Sequence, residues 1–256
     1  MALFYKEYGE ENAVMIVFIH GGGVSGWMWE KQVEHFRSTF HCLVPDLPEH
    51  GKNTEGSLFT IDSSAEEINV LIKEKSKEKK VIVIGFSLGA QILIAMISKQ
   101  PKLIDFAMIN SALVKPLPLA TPLIQSMMLA FPLIKNRTFS KIQAKSMYLK
   151  DYQIKTYFEE SRQISRETFQ RVMQENMSFF LPTDFHQTKA RLFVTVGEKE
   201  RRIMKDSFDE IVESNPACTR LIIPNMGHGV SLGNPELFHM LLEEWLEKEA
   251  IANDFR

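Results

Sequence analysis

The residues Val14–Ile19 form an unbroken apolar run of strand length that stops at His20 and the triplet Gly21, Gly22, Gly23. A run this short and continuous fits a strand buried on both faces. The signal recurs at residues 40–44 before Pro45, 81–84 before Gly85, 106–109 before Asn110, 192–196 and 221–223. Between these runs the apolar positions take helical spacing, over 63–75, 88–99, 205–212 and 235–248. In the last stretch Leu237, Met240, Leu241, Trp245 and Leu246 make one stripe. Strand then helix, repeated, predicts an α/β fold with a mostly parallel, doubly wound central sheet.

The rhythm breaks between about Leu113 and Thr188, where no buried-strand run occurs and Leu, Met, Phe, Pro and Lys dominate at approximate helical spacing. A loop of that length does not fit inside a compact domain. The expected organisation is a core made of residues 1–112 and 189–256, with 113–188 as a helical insertion over one edge of the sheet. Pro116, Pro118, Pro122 and Pro132 punctuate its first half and Pro182 closes it, so short helices joined by turns are expected. The charged run 73–80 lies between a helix and a buried strand and reads as a solvated helix end.

Composition narrows the classes. The chain has 256 residues, 45% hydrophobic and 24% charged, which excludes collagenous and disordered classes. Thirty Lys and Arg against 32 Asp and Glu leave a net charge of −2, which argues against nucleic acid as a partner. Cys42 and Cys218 are far apart and read as free thiols. No apolar stretch reaches the roughly 18 residues of a membrane span, and the start, Met1 to Gly9, shows no secretory leader. A cytoplasmic protein is therefore expected, and assembly as a homodimer is left open.

Chemistry concentrates in a few places. Gly85-Phe86-Ser87-Leu88-Gly89 follows one predicted strand and opens an apolar helix. A strand-to-helix turn this sharp holds Ser87 in a strained conformation, and side chains at the two glycines would collide with their surroundings. A serine hydroxyl needs a base within hydrogen-bond reach and a group to orient that base. Of the seven histidines, His228 lies in a loop after a strand with glycine on both sides. His20, at a strand end beside the glycines, reads as a residue that bonds loop backbone, His50 as a turn residue after Asp46, and His35, His41, His186 and His239 as surface or packing residues. The orienting carboxylate is expected after the strand at 192–196, within Gly197-Glu198-Lys199-Glu200; Glu200 is preferred over Glu198, with Asp206 and Asn110 in reserve. Backbone N–H groups of Leu88 and Gly22 are the expected donors to a developing oxyanion. A phosphate cradle is the rival reading of the glycines, but no Gly-Lys-Ser/Thr follows them.

Taken in order, His-Gly-Gly, Asp46-Leu47-Pro48-Glu49-His50-Gly51, Gly-Phe-Ser-Leu-Gly, Gly-Glu-Lys-Glu and a final Gly-His resemble the α/β-hydrolase superfamily over the whole chain apart from the insertion. The insertion corresponds to that family's variable cap. The resemblance implies a nucleophile at Ser87, a base at His228, an acid at Glu200 and an oxyanion hole from Gly22 and Leu88. The sequence departs from the family pattern at the acid, where Asp is more frequent than Glu.

These readings converge on a serine hydrolase that cleaves a carboxylic ester, or a related acyl bond, of a small and largely apolar substrate, with no metal and no organic cofactor. Leu, Met and Phe in the insertion suggest an apolar substrate wall, with Met127 and Phe131 as contacts, together with Phe86 and Trp29 from the core. Trp27 and Trp29 also read as packing residues. Two alternatives carry weight. One is a lyase or carbon–carbon hydrolase with the same residues, similar to the menaquinone-pathway synthase of the superfamily, using Arg137, Arg162, Arg166 or Arg171 to bind an anionic substrate. The other is a slow-turnover ligand-binding or signalling protein.

Overall fold

The computed structural model describes residues 3–54 and 56–249; Met1 and Ala2, where the reading of the start begins, lie outside them. Seven strands form one sheet: β1 (Tyr5–Tyr8), β2 (Val14–Ile19), β3 (His41–Pro45), β4 (Lys80–Phe86), β5 (Phe106–Asn110), β6 (Arg191–Gly197) and β7 (Thr219–Ile223), in the order β1-β3-β2-β4-β5-β6-β7. Only β1 runs antiparallel to its neighbour. Six of these strands are the six apolar runs: β2 matches its run, β3 is shifted by one residue, and the other four are longer by one to three. β1 carries no such signal, because Tyr5-Lys6-Glu7-Tyr8 is a half-buried edge strand. β7, the other edge, alternates half-buried and exposed positions before buried Ile223, with Ile222 facing solvent.

The helices are α1 (Glu30–Phe36), α2 (Ile61–Ser76), α3 (Leu88–Lys99), α4 (Ala120–Ala130), α5 (Arg137–Ser146), α6 (Asp151–Ser161), α7 (Arg166–Ser178), α8 (Arg202–Ser214), α9 (Val230–Gly233) and α10 (Pro235–Lys248). Alternate strand residues feed two cores. Met15, Val17 and Ile19 of β2 pack with α2, α3 and α8, while Val14, Ile16 and Phe18 pack with α1 and α10. The sheet is thus covered on both faces, as its period-free apolar strands require. Each buried Val, Leu or Ile contributes about 1.5–3 kcal/mol relative to exposure.

Between β5 and β6 stand four helices, α4 to α7, and two 3₁₀ turns, Phe131–Lys135 and Thr183–Gln187. Asn136 caps α5 by accepting from the Thr138 and Phe139 N–H groups, and Ser165 caps α7 by accepting from Thr168 N–H. Polar side chains tie this segment to the loops and helices around the sheet. Glu160 accepts from Ser25 Oγ (2.8 Å) and Trp27 Nε1 (2.7 Å). Glu175 accepts from Ile61 N–H (2.8 Å), and Asn176 Nδ2 donates to Gln91 Oε1 (2.9 Å). Arg171 and Thr168 both donate to Glu49.

Parallel register places the carboxyl ends of the strands on one edge: Ile19 opposite Gly85, Phe86 opposite Asn110, Asn110 opposite Thr195, and Gly197 opposite Ile223. Strand order reverses between β2 and β4, so the loops leaving these two strands diverge and open a crevice there.

Candidate active site

Ser87 stands at that crevice, between β4 and α3, with φ 54° and ψ −115°. The flanking glycines are forced by contact. A Cβ on Gly85 would lie 2.7 Å from Ala90 Cα, and one on Gly89 would lie 2.6 Å from the His20 carbonyl oxygen and closer still to that of Ile19. Both colliding groups are backbone, so neither gives way. The bend is held further by Ser87 N–H donating to the Asn110 carbonyl at 2.9 Å.

His228 arrives from the loop after β7. Its Nε2 is 2.9 Å from Ser87 Oγ and its Nδ1 is 2.7 Å from Glu200 Oε2. Gly197 makes this approach feasible, since a Cβ there would lie 2.6 Å from the carbonyl oxygens of Gly227 and Met226. Lys199 N–H donates to Met226 O (2.8 Å) and locks the two loops together. The Phe86 ring lies 4.9 Å from the imidazole and supports one side of it. His228 keeps 44% of its side chain exposed, whereas that of Glu200 keeps 1%.

Glu200 is the carboxylate that the structure brings to His228. Its second oxygen, Oε1, accepts from Ser111 Oγ at 2.7 Å and from Gly197 N–H at 2.9 Å. Burial acts to raise its pKa, but the His228, Ser111 and Gly197 donors together outweigh burial and hold it below the usual carboxylate value. An ionised carboxylate only accepts, so Nδ1 of His228 carries the proton and Nε2 presents its lone pair to Ser87. The other candidates lie elsewhere: Glu198 accepts from Asn225 N–H, Asp206 pairs with Arg202, and Asn110 donates to Thr195 Oγ1.

The glycine loop after β2 is set by buried imidazoles. His20 Nε2 accepts from Leu47 N–H (2.9 Å), so its Nδ1–H donates to Gly21 O (2.8 Å). Burial, with His50 nearby, lowers the His20 pKa to about 3, and burial lowers that of His50 as well. Gly22 lies against Leu88, the residue after Ser87; a Cβ on Gly22 would be 3.4 Å from Leu88 Cδ2.

A cavity of about 320 Å³ opens over Ser87, lined by Gly22, Leu88, Met127, Ile134, Tyr157, Ile164, Phe169, Val172 and Met173 among others. Polar lining comes from Glu49, His50, Gln143, Ser161, Thr168 and Asn176. Met127 lines this wall. Phe131 is buried and packs its ring against Phe169, 5.3 Å away, behind the lining. Phe86 also does not line the cavity; it packs on His228. Trp29 is corrected from a substrate contact to a packing residue: it is 0% exposed, lodged between Phe18 and Phe238 on the opposite face of the sheet from α3.

Ser111, Glu49 and Glu160 escaped the sequence reading. Ser111 has positive φ directly after β5, and Glu49 adopts φ 60° in the loop after β3. Glu49 is buried enough that desolvation raises its pKa, yet the Arg171, Phe59 and Thr168 donors overcome this and lower it. Three of the four arginines considered for an anionic substrate are otherwise engaged: Arg171 with Glu49, Arg162 with Glu159, and Arg137 over the Phe158 ring.

Among the described residues, no group of three or more His, Cys, Asp and Glu is placed to hold a metal ion, and no helix is long and apolar enough to cross a membrane. Cys42 and Cys218 are free thiols, and burial pushes Cys42 up to about 12.

A model of the alpha/beta hydrolase family matches residues 16–239. An AB hydrolase superfamily protein of Gibberella zeae is 29% identical over 126 residues, covering 48% of this chain and 43% of that protein. The chain thus spans under half the length of this curated relative. Among solved structures, a bromoperoxidase from Bacillus anthracis superimposes with a TM-score of 0.81 at 18% identity, covering 96% of this chain and 95% of the other. A thermophilic esterase from Thermogutta terrifontis does so at 0.77 and 18%, covering 96% and 93%.

Proposed function

Because this chain belongs to the alpha/beta hydrolase family, we propose that it hydrolyses a carboxylic ester of a small, largely apolar substrate through an acyl-enzyme on Ser87. The observation that carries this reading is the unbroken hydrogen-bonded line Ser87–His228–Glu200, at 2.9 and 2.7 Å, opening into a mostly apolar cavity. Ser87 Oγ attacks the ester carbonyl while His228 Nε2 takes its proton. The imidazolium that forms is stabilised by the buried Glu200 carboxylate and then gives the proton to the leaving alcohol. Water, activated by the same imidazole, releases the acid.

The oxyanion is held by the N–H groups of Leu88 and Gly22. Leu88 is the first residue of α3, so its N–H has no intrahelical partner, and the helix dipole adds to its pull. Each such donor is worth about 2.7–4 kcal/mol in enzymes where one has been removed. Residues 113–188 act as a cap over a core of 1–112 and 189–256, with α4 to α7 supplying the apolar wall. Among the described residues lining the cavity there is no Lys or Arg, which favours an uncharged ester over the anionic substrate of a synthase-like lyase. Solvent reaches His228, which favours turnover over passive ligand storage.

A fluorophosphonate probe tests the reading, followed by p-nitrophenyl esters of rising chain length. Wild type is expected to label and to show a burst of p-nitrophenol, both lost in Ser87→Ala. Failure of the folded wild type to label would overturn it.

A further inference from the structure

The segment that roofs the site has an outer surface as unusual as its inner one. Residues 106–150 contain six of the chain's 30 Lys and Arg and none of its 32 Asp and Glu. On α4, the inner positions Ile124 and Met128 pack with Met177, and Met127 lines the cavity. Leu119 and Leu129 on the outer side are 79% and 82% exposed, and Leu123 and Leu133 are exposed with them. At helical spacing, positions 119, 122, 123, 126, 129 and 130 share an arc of about 120°, and all but Ser126 are Leu, Pro or Ala. A helix apolar on both sides, with only one side covered, marks an interaction surface.

The charges around it show what covers it. Lys135 lies two residues after Leu133, and Arg137, Lys141 and Lys145 recur every four residues along α5, beside exposed Ile142. Lys150 ends the stretch. Lys115 pairs with Glu210 at 3.5 Å, but Lys135, Lys141, Lys145 and Lys150 have no ion-pair partner among the described residues. A second copy of the chain would bring this basic rim against itself. A surface with apolar depth and negative headgroups satisfies both features.

We propose that α4 and α5 dock this protein reversibly on an anionic lipid surface, with the α4 leucines entering the headgroup boundary and the lysines contacting lipid phosphates. The same two helices and the turn between them supply Met127, Ile134 and Gln143 to the inner wall. An apolar ester leaving the lipid thus meets the roof of the cavity over Ser87. The docking stands on the outer face alone and extends the esterase reading without depending on it.

Flotation with vesicles of phosphatidylcholine, with and without phosphatidylserine, tests it on the whole chain. Wild type is expected to float with the anionic vesicles, and less so as salt rises. Removing two charges in Lys141→Gln/Lys145→Gln should weaken partition roughly thirtyfold. Leu129→Ser should weaken it about tenfold or more. Hydrolysis of a soluble p-nitrophenyl ester should stay unchanged in each, since none of these side chains lines the cavity; lost flotation with intact hydrolysis separates docking from the chemistry at Ser87. Wild type that ignores anionic vesicles would overturn the proposal. So would a dimer in sedimentation, lost in Leu129→Ser, in a protein that binds no vesicle. Binding lost with the lysines but untouched by Leu129→Ser would show electrostatic adsorption without entry of the α4 leucines and would also overturn it.

Discussion

Replacing Glu200 by Gln probes the proposed chemistry most sharply, because the outcome follows from which atoms can donate. Three groups donate to the Glu200 carboxylate: His228 Nδ1–H to one oxygen, and Ser111 Oγ–H with Gly197 N–H to the other. A glutamine has one oxygen to offer. Gly197 N–H is backbone and cannot reverse, so the amide oxygen must stay on that side and the NH₂ must face His228. Nδ1 can then only accept, which moves the imidazole proton to Nε2. An N–H at Nε2 faces Ser87 Oγ, now 2.9 Å away, where the lone pair stood. The base is occupied by its own proton although no heavy atom has moved. In a serine protease the equivalent change lowers kcat about 10⁴-fold, or about 5.4 kcal/mol on the barrier, and a loss of that order is expected here with KM little changed. The assay is p-nitrophenyl ester hydrolysis beside circular dichroism of the variant. Glu200→Asp, which keeps the charge but shortens the reach, should retain more activity than Glu200→Gln. A folded Glu200→Gln within tenfold of wild type would refute the reasoning.

Other expectations follow from the same contacts. Gly89→Ala places a methyl against two backbone oxygens and should cost about 3 kcal/mol, the upper range for overpacking, seen as a fall in Tm on the order of 10 °C; an unchanged Tm would contradict the tight packing at the bend. Ser111→Ala removes one donor from a buried carboxylate and should lower stability by about 1.5–3 kcal/mol, measured by urea denaturation. Burial raises the pKa of Glu160, the Trp27 and Ser25 bonds offset this in part, and Asp46 adds to the rise. The folded state therefore holds this proton more tightly than the unfolded chain does, and the group weakens the fold as pH climbs from 4.5 through its raised pKa. Glu160→Gln, whose oxygen can face Trp27 and whose amide can face Ser25, should have a higher urea midpoint than wild type at pH 7, the gap closing towards pH 4.5; a lower midpoint at pH 7 would contradict this. Glu49→Gln takes a fixed negative charge from the cavity wall and frees Arg171, so kcat/KM for an anionic half-ester should rise about tenfold relative to a neutral ester; no change in that ratio would count against Glu49 as a charge filter.

The strands buried on both faces announced themselves, because β2 is wholly apolar and the polar residues of β4, β5 and β6 are confined to Lys80, Asn110, Arg191 and Thr195. β1 did not: an edge strand with Lys6 and Glu7 looks like any polar tail until His41 of β3 is seen bonded to Glu7 at 2.8 Å. α1 is seven residues long, too short for a periodic signal. At the candidate site, glycines flagged Ser87 and His228 in advance, since close backbone approach leaves a compositional trace. Glu200 was legible only as one of several acids in a loop, and Ser111 and Glu160 left no trace, because their importance comes from side chains 89 and 135 positions away. Trp29 misled for a related reason. An aromatic beside a functional loop looks like a contact, whereas here it fills space between Phe18 and Phe238.

The helical segment is stitched to the loops and helices around the sheet by specific polar partners: Glu160 with Ser25 and Trp27, Glu175 with Ile61 N–H, Asn176 with Gln91, Arg171 with Glu49. Such a roof does not transplant freely. A chimera that grafts another hydrolase's insertion onto this chain would strand an indole N–H and an amide at the junction, so exchange of substrate preference by swapping this module requires that both halves of each stitch travel together.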